Sequence, residues 1–297
     1  MDVVVSWLDA NTISIFNGLA QGMLLFTMAV GLSLIFGLMD VLNLTHGAIF
    51  LLGAYLGFQF APGGSSTAMF LLALVIAVAV GLVLGGGLAA TIRPIRARGY
   101  LDQALLTLGL AFVLSDVASI IWGDDYRALA PPPFLQGSTG VLGDAYPTYR
   151  LAVIAVGAVI AVAVYLAFER TELGAVVRAA VSDRAMLSAL GINVNRVLVG
   201  VFAIGTALAA FGGLVGAPVL GVRPGLDWDV LILALIVVVI GGLGSIVGAF
   251  VGALIIGQVQ SLGVTLAPEL AAFLLFGAMA VILLVRPQGL FGDVTRR

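Results

Sequence analysis

Six long apolar stretches, at residues 15–36, 68–92, 101–122, 151–168, 197–220 and 270–285, dominate the chain. Each approaches or exceeds the roughly 20 residues a helix needs to cross about 30 Å of hydrocarbon. Ordinary globular chains carry roughly 25% charged residues, whereas here charged residues make up 9% and hydrophobic ones 62%. The sequence therefore describes an all-α polytopic membrane protein. Its 39 glycines suit tight helix packing, which relies on small residues where backbones approach closely. Three further stretches, 44–60, 230–240 and 246–262, are shorter or glycine-interrupted and are expected to be tilted, broken or re-entrant. The expectation is eight or nine membrane segments.

All thirteen cationic side chains are arginine, and their placement orients the chain, because cytoplasmic loops keep positive charge. Arg93, Arg96 and Arg98, then Arg170, Arg178, Arg184 and Arg196, then Arg286, Arg296 and Arg297 are assigned to the inside. Arg127, Arg150 and Arg223 share their connections with Asp124, Asp125, Asp144, Asp227 and Asp229 and are assigned to the outside. With every segment crossing, the amino terminus lies outside and the carboxyl terminus inside; a re-entrant 44–60 would reverse the amino terminus alone. Lysine is absent, and a Walker A site needs a lysine on the β and γ phosphates. This chain is thus expected to carry no cofactor, and any ATP and magnesium it depends on must sit on a partner. With no cysteine, disulfides and thiolate metal sites are excluded, and no metal centre is expected. There is no basic patch for nucleic acid. The first residues lack the pattern of a cleaved signal and are expected to be retained.

Residues 169–196 form a polar island between two apolar runs. Over 173–190 the only glycine is Gly174 and there is no proline, which predicts a helix, and Gly191 follows as a natural stop. Val177, Val181, Met186, Leu187 and Leu190 would give it a partly buried side, leaving Arg178, Asp183 and Arg184 to face a partner. A solvated helix that only ties two spans together fits the composition equally well. The connection 123–150, with Pro131, Pro132 and Pro133, is the longest outer loop, a rigid rim or a plain surface connection.

Two glycine-bearing stretches carry the remaining pattern. In 37–58, Asn43 is expected to cap a short helix, and His46, the single histidine, to complete local hydrogen bonding beside it. In 241–258, Gly244, Gly248 and Gly252 repeat every four residues, one bare helix face for close packing. Gly47-Ala48 and Gly53-Ala54 loosely echo Gly248-Ala249 and Gly252-Ala253, the pattern of an internal pseudo-repeat. Among carboxylates in the apolar runs, Asp40 and Asp102 lie at helix ends and Asp116 alone sits deeper. That scarcity weighs against an ion-coupled carrier, which buries ionisable groups near the midplane. It also weighs against an enzyme.

Three ordered motifs, NLTHG-x5-GAY at 43–55, LGIN at 190–193 and GGLGSIVGAFVG at 241–252, resemble the LivH-type permeases of branched-chain amino acid ABC importers. The resemblance extends to TLGLAFVL at 107–114 and GTALAAFGGLVGAPVLGV at 205–222. It implies a single transmembrane permease domain over 1–297 in the bacterial cytoplasmic (inner) membrane, surrounded by lipid. It further implies three kinds of partner: a second, LivM-like permease, two cytoplasmic ATPases and an extracytoplasmic solute-binding protein. In this superfamily an EAA-x3-G loop docks onto the ATPase. Here Ala185, Met186 and Leu187 stand in place of EAA and Gly191 keeps the glycine, so Arg178, Asp183, Arg184, Ala185, Met186, Leu187 and Gly191 are the docking candidates. Many relatives carry a carboxylate after the HG of the first motif, where this chain has Ala48. The implied cycle is alternating access. Pathway candidates are Asn17, Gln21, Asn43, Thr45, His46, Tyr55, Gln103 and Thr107, since polar groups on lipid-level helices face protein or water. A urea or short-chain amide permease has closely similar motifs, and a stand-alone carrier or channel is the reading from another class.

Overall fold

The computed structural model describes residues 2–39, 41–62, 66–95, 98–182 and 184–292. Asp40, Arg96, Asp183, Arg296 and Arg297 fall outside them, so their expected roles have no structural description. The helices are α1 (Asp2–Met39), α2 (Thr45–Phe60), α3 (Thr67–Ile92), α4 (Tyr100–Trp122), α5 (Thr148–Glu169), α6 (Glu172–Ser182), α7 (Arg184–Ala189), α8 (Val194–Leu220), α9 (Leu226–Gly241), α10 (Ile246–Leu266) and α11 (Ala271–Val285).

Seven helical spans among the described residues are long and apolar enough to cross a membrane: 11–37, 67–95, 100–122, 148–169, 194–220, 246–266 and 268–285. They comprise the six long stretches and one of the three shorter ones, which becomes the 21-residue α10. The other two become the 16-residue helices α2 and α9. At 1.5 Å per residue each is about 24 Å long, short of the roughly 30 Å hydrocarbon thickness.

Burial sorts the helices into a centre and a rim. In the apolar 18-residue window of the α1 span 83% is buried and in that of α8 61%, whereas in that of the last span it is 6%. The exposed apolar side chains of α3, α4, α5 and α11 suit lipid, and α2 and α9 wedge among α1, α8 and α10. Small residues set the spacing. A Cβ added at Gly213 of α8 would stand 1.9 Å from the Phe50 carbonyl oxygen of α2, and one at Gly53 2.0 Å from that of Ala210. Gly248 and Gly252 meet α9 in the same way, at the Gly241 and Val237 carbonyl oxygens. Gly244 does not share their face: it lies before α10, in the turn from α9, at φ +83°, against Gly37 of α1. The four-residue spacing extended past the helix start because nothing in it distinguishes a turn glycine from a packing glycine.

The outer connection adds a two-stranded antiparallel hairpin that the helical pattern did not anticipate. β1 (Ser138–Val141) pairs with β2 (Asp144–Pro147), and both Leu142 and Gly143 have positive φ, as a tight two-residue hairpin turn demands. Tyr146 at the base of this hairpin is buried, tilted against Phe16, and its hydroxyl donates to Asn17 Oδ1 at 3.1 Å. Arg150 also donates to that oxygen.

The polar island folds as α6 and α7. Gly191, at φ +81°, closes α7 as expected: its N–H donates to the Ser188 carbonyl at 3.0 Å and that of Ile192 to Leu187 at 3.2 Å, the paired bonds of a Schellman motif. Asn193 then caps α8, its side chain accepting from Arg196 N–H at 3.2 Å.

Candidate functional site

The pathway candidates separate into three groups. The first surrounds the break between α1 and α2. Residues 41–44 are non-helical, with Val41 and Asn43 fully buried, so polar backbone lies at the depth of the core. Such backbone is tolerated within a membrane only where protein or water satisfies it. Here Thr107 of α4 does so: its hydroxyl donates to the Leu42 carbonyl at 2.9 Å and accepts from Leu44 N–H at 3.3 Å. Thr45 returns a bond to the Thr107 carbonyl at 2.8 Å. The expected Asn43 cap is absent. The cap position is Leu44, and both side-chain polar atoms of Asn43 are buried without a hydrogen-bond partner. Thr107 reaches the free amide from a neighbouring helix, so the local side chain is not needed. Sequence spacing registers only local caps.

His46 is fully buried in the first turn of α2, and its Nε2 lies 3.1 Å from the Met28 carbonyl oxygen of α1. It ties the two helices across the break. Gln103, one turn before Thr107 on α4, is buried on the same side. Asn43, Thr45, His46, Gln103 and Thr107 thus come from α2, its preceding segment and α4.

The second group lies where α1 meets α10. Gln21 donates to Gln260 Oε1 at 2.8 Å, Gln258 to the Ile15 carbonyl at 3.0 Å, Ser261 to the Ser14 carbonyl at 2.6 Å, and the Ser14 and Thr265 hydroxyls are 3.0 Å apart. Gln258, Ser261 and Thr265 were missed, although their three- and four-residue spacing on one helix face is a readable signal. Gln21 also lines a small, mostly apolar cleft with Leu24, Leu25, Phe50, Leu220, Val230 and Leu233. Asn17 lies on the same helix, but its side chain is committed to the hairpin through Tyr146 and Arg150.

Tyr55 belongs to a third group at the outer ends of α2 and α4. Its ring stacks on Trp122 at 5.0 Å between centroids and 13° between planes. Trp122 Nε1 donates to Gln59 at 3.1 Å, and the Trp122 carbonyl accepts from Arg127 at 2.6 Å. Arg127 lies over the Phe58 ring at 4.8 Å, and its backbone pairs with Val222 beyond α8. Of the carboxylates, Asp116 is exposed, so the expected deep group is not the buried one. The buried one is Asp227, at 3% exposure, which charge counting had placed in an outer connection. It is the second residue of α9, folded back under α4, and no one-dimensional pattern reveals that return.

The docking candidates also divide. Leu187 is buried and anchors α7, so it cannot present itself to a partner. Arg178 donates to the Phe168 carbonyl and pairs with Glu169 at 3.5 Å, which commits it to the end of α5. Met186 and Leu190, expected on the buried side, are 62% and 68% exposed, and four residues apart they share a face. Arg184 and Ala185 belong to α7, but their side chains lie outside the described ones, and Asp183 lies outside entirely. Of the apolar side expected for this segment, Val177 is half-buried against the core and Leu187 is buried, Met186 and Leu190 are exposed, and the Val181 side chain lies outside the described ones.

The family described as the permease component of branched-chain amino acid transport systems matches residues 14–284. The chain is 27% identical to the high-affinity branched-chain amino acid transport system permease protein BraD of Pseudomonas aeruginosa, over 93% of this chain and 94% of that one. It is 29% identical to the corresponding protein LivH of Escherichia coli over the same shares. The ribose import permease protein RbsC of Escherichia coli is 28% identical, over 86% of this chain and 79% of that one. A match that runs from the first span to the last, through the α1–α2 break and the α9–α10 turn, shows that this chain belongs to the family of branched-chain amino acid transport system permease components.

Proposed function

We propose that the chain is the pore-forming subunit of an ATP-driven importer for branched-chain amino acids in a bacterial cytoplasmic membrane. The family match over residues 14–284 carries this reading. ATP and magnesium are bound by two partner ATPases, consistent with the absence of lysine for a Walker A site. A second permease completes the pore, and an extracytoplasmic binding protein delivers the cargo.

In this reading α6, α7 and the Gly191 turn lie on the cytoplasmic face and receive the motor through Met186 and Leu190. The arginine distribution supports that side for them. ATP binding moves this segment, and the motion alternates access around α1, α2, α9 and α10. Two features favour those helices: non-helical backbone at depth before α2, and the polar seam between α1 and α10. The ligand biases the cycle only by its differential contacts in the two states.

Uptake of labelled leucine, valine, urea and ribose by membranes carrying the complete transporter tests the proposal. Leucine and valine are expected to enter with ATP and not without it. Full-rate uptake by this chain alone would refute the importer reading, and preferential uptake of urea or ribose would refute the cargo.

A further inference from the structure

Asp227 is the only charged side chain that is buried among the described residues. Its Oδ2 accepts from the Ser115 hydroxyl of α4 at 2.7 Å, while Oδ1 is buried with no hydrogen-bond partner. The nearest arginine in sequence, Arg223, is paired instead with Asp229 at 2.6 Å. Placement in the first turn of α9 favours a carboxylate through the helix dipole, but does not explain an acceptor sealed from water and left unmatched, an arrangement that carries a desolvation penalty.

A second unmatched group lies nearby. Tyr55 is fully buried, and its hydroxyl has no partner. Its stacking partner Trp122 follows Ser115 by about two helical turns on α4, so Tyr55 and Asp227 adjoin the same face of that helix. The chain links are short: Tyr55 stacks on Trp122, the Trp122 carbonyl holds Arg127, and Arg127 pairs with Val222, five residues before Asp227. A Cβ at Gly47 would stand 2.4 Å from the Asp227 carbonyl oxygen, so the bare first turn of α2 is what lets α9 bring this carboxylate in.

We infer that Asp227 Oδ1 is the acceptor for a primary ammonium group passing through the outer half of the path, with Ser115 holding the carboxylate and the Tyr55 hydroxyl offering a second oxygen. An ammonium has three donors, no acceptor and a positive charge, which matches an unpaired carboxylate oxygen and a free phenol. The inference rests on the amino-acid reading above, because the ammonium distinguishes an amino acid from a sugar or urea. Asp227 and Ser115 would then read the backbone of the cargo, whatever its side chain.

The test uses the full chain in lipid nanodiscs with Trp7→Phe, which leaves Trp122 and Trp228, both beside the cluster, as fluorophores. Leucine, 3-methylbutylamine, 4-methylpentanoate and sodium chloride are titrated separately. Leucine and the amine are expected to change the emission saturably, and the carboxylate-only ligand and sodium to leave it unchanged. Asp227→Asn should weaken amine binding at least about tenfold, equivalent to about 1.4 kcal/mol, and Ser115→Ala by a smaller factor. Melting of each unliganded variant separates loss of binding from loss of fold. Should the asparagine variant fail to fold, Ser115→Ala, which keeps the carboxylate, carries the test. An equal response to 4-methylpentanoate, a response to sodium alone, amine binding unchanged in the variants, or no saturable response overturns the assignment. Amine binding through Asp227 in a transporter that takes up no leucine would preserve the site and sink the proposed cargo.

Discussion

Gly85, Gly86 and Gly87 stand side by side in α3, and alanine at each should have a different effect. A Cβ at Gly85 would lie 2.0 Å from Thr206 Oγ1 and 2.7 Å from both the Phe202 carbonyl oxygen and the Ala203 Cα of α8. Two of those three atoms are backbone and cannot swing away, so α3 and α8 must separate. Thr206 is fully buried and donates to the Gly81 carbonyl across the same interface at 2.8 Å, a bond the separation would strain. Overpacking costs about 1–3 kcal/mol, and an interhelical side-chain hydrogen bond in a membrane contributes about 0.6 kcal/mol on average. Gly85→Ala is therefore expected to destabilise the protein by roughly 2–3 kcal/mol. A Cβ at Gly86 or Gly87 meets nothing within 4 Å. There, alanine should be neutral or stabilising, by up to about 1 kcal/mol of helix propensity. Reversible denaturation of each variant in lipid nanodiscs, followed by tryptophan emission, measures the series. Equal stability of the three variants, or a loss at Gly86 matching that at Gly85, would refute the assigned α3–α8 contact.

Thr107→Val removes the hydroxyl that serves both Leu42 and Leu44, at a cost of about 1–3 kcal/mol for leaving buried backbone groups unmatched. Faster hydrogen exchange confined to the start of α2 is the expected signature, and unchanged exchange there would contradict the cap. Gly191→Leu forces a side chain onto φ +81°, costing about 1–2 kcal/mol. Together with Met186→Glu, it should separate ATPase stimulation from leucine uptake while membrane insertion persists; normal coupling in both would move the docking contact elsewhere. Burial raises the Tyr146 phenol above its ordinary value of 10.0, with Arg150 opposing the rise. Because the folded value exceeds the unfolded one, the stabilising contribution is complete below about pH 10 and is lost as pH rises through the folded value. A tyrosinate absorbance titration against Tyr146→Phe should show this group ionising after the exposed tyrosines, and early ionisation would contradict its burial.

The α1–α2 break shows how far the candidate site was legible in the amino-acid order. Asn43, Thr45 and His46 stood out as polar residues in an apolar run, and Thr107 as another on a separate helix. Their mutual contacts did not, because residues 42 and 107 become neighbours only when α4 packs beside the start of α2. The glycines make the same point. Gly85, Gly86 and Gly87 are chemically identical and adjacent, yet one touches α8 and two face outward.

Apolar run length alone determined that the chain spans a membrane as helices, since residues with so few charges and such long hydrophobic stretches cannot be solvated any other way. Residue chemistry also marked the polar island and its glycine stop, a local property of backbone that needs no partner. Tertiary structure alone decided which carboxylate is buried. Asp116 sits within an apolar run but turns outward, while Asp227 follows a polar connection and is enclosed by α2 and α4. Hydropathy averages over a segment and is blind to facing; burial depends on which helix stands opposite, and that is set by packing between residues more than 100 positions apart, as between Ser115 and Asp227.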